Sequence, residues 1–241
     1  SHPFFGNKKI KILFFTLIFL ITALVIGERS NFIKLFFILS VYLILINRKE
    51  SLKKFFLFFV MLFLIITFTS LNNLMLKTRF FDDFFVPIKD HGISHYIKNT
   101  RHGRHYDIAI QIFKQNPIFG VGIKNFRYEC KKPEYKDVYS CTTHPHNTYL
   151  QLLAETGIVG FSFIFTIFLF LSYQIFRLIF FSKIRIKVSN HYKCFLLGLF
   201  INLWPIIPTG SFFNNWISIC YFLSIGFFLG EIYKNKNQYK I

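Results

Sequence analysis

The chain has 241 residues, 53% of them hydrophobic and 21% aromatic with 36 Phe, and its formal net charge is +18. Several apolar runs approach the roughly 20 residues that cross a bilayer, more than one soluble core uses, so the composition excludes an ordinary soluble domain and points to an all-α polytopic membrane protein. The basic residues lie between those runs and follow no RNP-like or helix-turn-helix pattern, which excludes nucleic acid as a partner and leaves topology, membrane lipid and an anionic substrate as their uses.

The chain opens on Ser1 rather than Met, as a fragment or a processed chain does. Lys8, Lys9 and Lys11 precede the first apolar run; no small-x-small cleavage site follows, so the run reads as a retained helix and not a signal peptide. About six transmembrane helices are expected, at about 10–26, 32–46, 55–71, 158–181, 194–208 and 213–230. The second and fifth are short, and Pro205 and Pro208 would kink the fifth. Lys8, Lys9 and Lys11, then Arg48, Lys49, Lys53 and Lys54, then Lys183, Arg185, Lys187 and Lys193, and finally Lys234, Lys236 and Lys240 alternate with these spans. Six alternating spans put all four clusters on one face, assigned to the cytoplasm. The expected organisation is three spans over 1–71, a long outside loop over 72–148, and three more spans with a basic tail over 149–241.

The loop is too long for a simple connector. It holds six of the eight His: His91, His95, His102, His105, His144 and His146. The spacing predicts an amphipathic helix from about Arg104 to Gln115, with Ile108, Ile112 and Phe113 available for one face. Asn116-Pro117 ends it, and Gly120-Val121-Gly122 makes a turn rather than a phosphate loop. Cys130 and Cys141 favour a disulfide, with free thiols or a zinc site shared with His144 and His146 as alternatives. Cys194 and Cys220, in apolar spans, read as packing residues. Asp82-Asp83 lacks metal-ligand spacing and there is no Asp-x-Asp motif, so nothing asks for a divalent metal or another cofactor.

The polar cluster His144-Pro145-His146-Asn147 stands directly before a long apolar run. Asn147 marks a helix start there, and the positive end of a helix disfavours imidazolium. Neutral imidazole is what a general base needs, which makes His146 the candidate and His144 its understudy. A helix-capping or headgroup-contacting His146 is the plainer reading of the same residues.

His146-Asn147 followed by Gly157-Ile158-Val159-Gly160 resembles the signature of the O-antigen ligase / O-antigen polymerase superfamily. The segment from Arg104 through Gly120-Val121-Gly122 resembles the loop that precedes it in that family. The resemblance implies a GT-C-like bacterial inner-membrane enzyme, with the site on a periplasmic loop. Family members usually have about twice this many spans, so the chain resembles a C-terminal half. The implied donor is an undecaprenyl-diphosphate-linked glycan, and the implied acceptor is lipid A–core or another glycan. The implied roles are His146 as catalytic base and two arginines on the pyrophosphate. Arg29 and Arg104 are the implied pair, with Arg101 competing for the second place. Guanidinium suits that task because it stays charged and forks onto paired phosphate oxygens. Asn147 and Glu155 are secondary candidates beside His144, while Lys124 and Arg127 read as solvated charges. Ligase, polymerase and protein O-oligosaccharyltransferase share these residues. A transporter is the alternative of another class, disfavoured because the spans carry no ionisable residues away from their edges.

Overall fold

The computed structural model describes residues 18–23, 26, 29–46, 74–78, 82, 86–92, 95, 100–135, 141–181, 188–206 and 208–239. Among these the structure is helical, without strands. The elements are α1 (Arg29–Ile46), α2 (Leu74–Lys77), α3 (Arg101–Gln115), α4 (Phe126–Glu129), a 3-10 turn at Pro133–Tyr135, α5 (Thr148–Phe180), α6 (Asn190–Asn202) and α7 (Asn215–Tyr239). The chain divides into two compact units, Ser1–Asp90 and His91–Ile241.

In the first unit, Leu20, Ala23 and Phe32 form a buried cluster flanked by Leu35, Phe36 and Leu39 of α1. α1 covers the expected second span. Of the expected first span only 18–23 and 26 are described, and the expected third span lies outside the described residues.

In the second unit, α5 and the Asn215–Lys234 part of α7 are long and apolar enough to cross a membrane. Those are two of the about six spans expected. α6 ends at Asn202, short of the expected end near 208. Leu203 caps it, and Pro205 and Pro208 bring no N–H to continue the helix. α6 and α7 pack through aromatic pairs, Tyr192–Phe228 at 5.2 Å and Phe195–Phe227 at 5.3 Å between ring centroids. Ser189 caps α6 and also donates to Glu231 at 2.7 Å.

α3 starts at Arg101, three residues before the expected Arg104, because Thr100 caps it by accepting from Gly103 N at 3.1 Å. It ends at Gln115, as expected. Its buried residues His105, Ile108, Ala109 and Ile112 follow i, i+3, i+4, i+7, one helical face. Phe113, counted for that face in the sequence, is only partly covered. The face packs into a core with Phe126, Cys130, Tyr135 and Ala154, which ties α3, α4, the 3-10 turn and α5 together. Tyr135 adds a hydrogen bond from its hydroxyl to Gln115 Oε1.

α5 is one helix interrupted at Gly157, whose φ of 64° and ψ of −163° belong to a region open essentially to glycine alone. The turn after α3 fills the interruption. Val121 N donates to Ala154 O at 3.0 Å and Gly122 N to Glu155 O at 2.9 Å. Ile158 N donates to Pro117 O at 2.8 Å and Val159 N to Ile118 O at 3.4 Å. The backbone groups that the break orphans are thus paired with the loop. The approach leaves no room for side chains: a Cβ on Gly157 would lie 2.2 Å from Ile118 O, and one on Gly120 would lie 2.4 Å from the Glu155 carbonyl carbon.

Candidate functional site at the foot of α5

Asn147 is the N-cap of α5. Its Oδ1 accepts from Tyr149 N at 3.0 Å and Leu150 N at 3.1 Å, satisfying two of the donors a helix start leaves open. Its Nδ2 donates to Pro205 O at 2.7 Å, so the same side chain grips the segment after α6. The next residues repeat the grip. Tyr149 donates its hydroxyl to Leu203 O at 2.6 Å, Thr148 pairs with Thr209 at 3.0 Å, and Gln151 holds Ser211 Oγ at 3.0 Å and Phe212 N at 2.9 Å. The chain after α6 is laced along the first turns of α5, which is where the residues missing from the expected fifth span are used.

His146 precedes this cap with φ at +58°, a left-handed conformation uncommon for a residue with a Cβ. Such a residue stores on the order of 1–3 kcal/mol and persists only where its surroundings over-determine it. Here they do: Thr209 N donates to His146 O at 2.9 Å, and the following residue, Asn147, is fixed by three hydrogen bonds.

The ring of His146 is half-buried among three other imidazoles. Ring centroids lie 4.2 Å away for His144, 5.2 Å for His102 and 5.5 Å for His105. His102 and His105 come one turn apart from α3, and His102 also stacks on Tyr106. His105 is buried and His102 exposed, so the cluster runs from the core to the surface. Burial, and then the neighbouring His144, His102 and His105, hold the His146 pKa down to about 4. The neutral ring expected from the helix terminus is there, but burial and like-charge neighbours account for it. Burial likewise lowers His144, with the Thr209 backbone opposing and Arg127 assisting. His144 Nδ1 meets Thr143 Oγ1 at 2.9 Å.

Cys130 and Cys141 are joined, with Cα atoms 5.1 Å apart, and this ties the approach to His144 against α4. The bond uses both sulfurs that the alternative zinc set needed. Among the described residues no group of three or more His, Cys, Asp and Glu is arranged to hold a metal ion. Cys194 and Cys220 are free, and both are exposed rather than packed.

Glu155 is 1% exposed. Its carboxylate accepts from Lys124 N at 3.0 Å, Phe126 N at 3.3 Å and Gln151 Nε2 at 3.1 Å. It therefore fixes the start of α4, and with it Arg127. That arginine, read from sequence as a solvated charge, bears electrostatically on both His144 and Glu155. Lys124 stays exposed.

Arg104 lies on α3 between the two cluster histidines and is half-buried. The backbone of Arg101 opens α3, while its side chain lies outside the described residues. Arg29 opens α1, belongs to the other unit, and its side chain also lies outside the described residues. The structure thus brings His144 and His146 together and sets Arg104 on the neighbouring element. It adds His102 and His105, which the sequence reading located in the loop without assigning them to the site. Their signal was present: His105 stands at the head of the apolar i, i+3, i+4, i+7 face, and His102 stands one turn before it. Chemically, the cluster offers an uncharged, partly sheltered proton acceptor with basic residues nearby, at the end of a long apolar helix.

The family model for the O-antigen ligases, Wzy_C, matches residues 14–165. That stretch is more than half of the 241-residue chain and includes α1, α3 and the start of α5. A comparison with curated proteins and one with solved structures each find no match.

Proposed function

The chain belongs to the O-antigen ligase family, and from that premise we propose that it moves a glycan from an undecaprenyl-diphosphate carrier onto lipid A–core, with His146 as the general base. The observation that carries this reading is the His146 backbone. A strained left-handed residue, pinned at its carbonyl and at the residue that follows and presenting a neutral imidazole, is a costly arrangement that a mere helix cap does not require.

The acceptor hydroxyl gives its proton to His146. The acceptor oxygen bonds to the anomeric carbon of the donor as the bond from that carbon to the diphosphate oxygen breaks. Undecaprenyl diphosphate departs with the bonding pair. A single displacement of this kind inverts the anomeric configuration. Arg104 holds the diphosphate as its charge grows, with Arg101 competing for that place, and Arg29 is the other arginine that the family resemblance implies for this task. Diphosphate is already a good leaving group, so proton removal and charge stabilisation are the main demands, and no metal or cofactor is needed. A base with a pKa near 4 is weak on its own. The diphosphate anion beside four imidazoles would offset their mutual effect and strengthen the base when donor is bound.

The basic clusters support an inner-membrane protein with this loop on the periplasmic side. The test is transfer by purified protein from a defined lipid-linked donor, with lipid A–core, carrier-linked repeat and peptide offered in parallel. Transfer to lipid A–core, abolished by His146→Ala, supports the ligase reading; transfer to another of the acceptors reassigns it to polymerase or protein glycosylation. Full activity of His146→Ala would overturn the mechanism.

A further inference from the structure

The turn between α3 and α4 exposes apolar side chains that no described helix covers. Phe119 is 74% exposed, and Ile118 and Ile123 are each 57% exposed. Lys114 and Lys124, also exposed, flank this tip. In water such a tip is unfavourable, and its place along α5 says what covers it.

The hydrogen bonds from Ile158 N to Pro117 O and from Val159 N to Ile118 O set the tip level with the start of the second part of α5. At that level α5 changes character. Before Gly157, Thr148, Tyr149, Gln151, Leu152, Ala154 and Glu155 are buried in protein. After it, Ile158, Val159, Phe163, Leu169 and Phe170 are exposed. From Ile158 to Phe180 at 1.5 Å per residue is about 33 Å, which fits a hydrocarbon layer of about 30 Å. Read as a span, that part of α5 begins where the tip lies.

Irregular backbone is tolerated at membrane depth only where its polar groups are satisfied. Several of this turn's backbone groups meet that condition. Pro117 O, Ile118 O, Val121 N and Gly122 N bond to α5, and Gly120 N donates to Asn116 O at 3.0 Å.

We infer that Pro117–Ile123 is an interfacial anchor: Ile118, Phe119 and Ile123 enter the apolar edge of the bilayer, while Lys114 and Lys124 meet anionic headgroups. The inference rests on reading Ile158–Phe180 as a span and is independent of the transfer chemistry. The anchor fixes the height of His146, because the loop pins one end of Thr148–Gly157 and Asn147 pins the other.

The test uses the full chain in nanodiscs of phosphatidylethanolamine and phosphatidylglycerol. Cys194 and Cys220 are replaced by Ser, and the Cys130–Cys141 bond is kept. A nitroxide is placed through Phe119→Cys or, as a second position, Ile123→Cys. Phe163→Cys serves as the lipid reference, and Tyr128→Cys, an exposed position of α4, as the water reference. Collision with oxygen exceeding collision with a water-soluble nickel chelate at 119 and 123, as at 163 and unlike 128, is the expected result. Water-like readings at 119 and 123 with a lipid-like 163 would overturn the anchor alone. Labels shielded from both reagents would overturn it in favour of a protein partner. A water-like 163 would remove the span and the anchor together.

Discussion

Thr148–Thr156 and Ile158–Phe180 share one helix axis label but live in different surroundings. The first part is short, polar on several sides and buried: Asn147, Thr148, Tyr149, Gln151 and Glu155 all spend their side chains on chain segments far away in sequence. The second part is apolar, and much of it is exposed. Its side-chain hydroxyls turn back on their own helix, as Thr166 does to Ser162 O and Ser172 to Phe168 O, both at 2.7 Å. A helix that meets lipid must satisfy itself, whereas a helix that builds a site can lend its polar groups to others. Gly157 separates the two regimes and lets a loop enter where they change over.

The comparison is broken most sharply at His146. Asn tolerates the left-handed backbone at φ +58° yet supplies no base. His146→Asn is therefore expected to keep the lacing of the first part while lowering the transfer rate by about 100- to 10,000-fold, the usual worth of general base catalysis. Rate measurements on lipid-linked donor, beside an unfolding titration in mixed micelles, separate the two. Unchanged turnover would make the strained backbone a structural feature only.

Next in size is the junction. Gly157→Ala forces a Cβ to 2.2 Å from Ile118 O in a backbone region that L-residues avoid. Strain and overpacking together are expected to cost about 2–6 kcal/mol. Gly226 of α7 has open space around it, and Gly226→Ala should show no such loss in the same unfolding titration. Equal effects at the two glycines would mean that the break carries no special load.

The difference between the two parts of α5 also governs what could be read from sequence. Asn147 was legible as a helix start because a cap is a local demand, met within a few residues, whereas the left-handed turn at Gly157 was not, because it answers to the distant Pro117–Gly122 turn. The Pro-containing end of α6 was legible in kind, yet its early stop at Asn202 was not, since it depends on Asn147 gripping Pro205 O, 58 positions away. Arg127 read as a solvated charge because Glu155, which fixes the start of its helix, acts from 29 residues further on. His105 lay on a face whose period was visible, but periodicity says that a face is buried, not what it meets, and His102 lay before the expected helix start at Arg104.

Smaller effects follow in the same buried region. Reducing Cys130–Cys141, or replacing both by Ser, frees a short loop, worth about 3 kcal/mol in chain-entropy models. Because α4 and the run to His144 share that loop, transfer activity should fall along with stability. Activity that survives reduction would show that Glu155 and the core around Phe126 hold α4 unaided. Asn147→Ala removes a cap and leaves Pro205 O without its partner, together about 2 kcal/mol by unfolding titration. A loss under about 0.5 kcal/mol, the low end for a cap alone, would mean that Thr148, Tyr149 and Gln151 suffice to lace the segment after α6.

The smallest expected effect is the absence of one. An ordinary histidine base is about nine-tenths protonated at pH 5.5 and loses about that share of its activity. His146, held down to about 4 by burial and by His144, His102 and His105, stays neutral there. As pH falls from 7, kcat/KM should remain nearly flat through 5.5 and drop only near 4, because it reports the free enzyme. The sign for stability is the same: the folded state resists the proton, so stability is fully present above about 6.5 and is lost progressively as pH falls towards 4. Bound diphosphate acts in the opposite direction and raises the base's affinity for a proton. The acid limb of kcat should then lie above that of kcat/KM. Coincident limbs near 6.5 would mean that neither the imidazole cluster nor the donor's charge acts on His146.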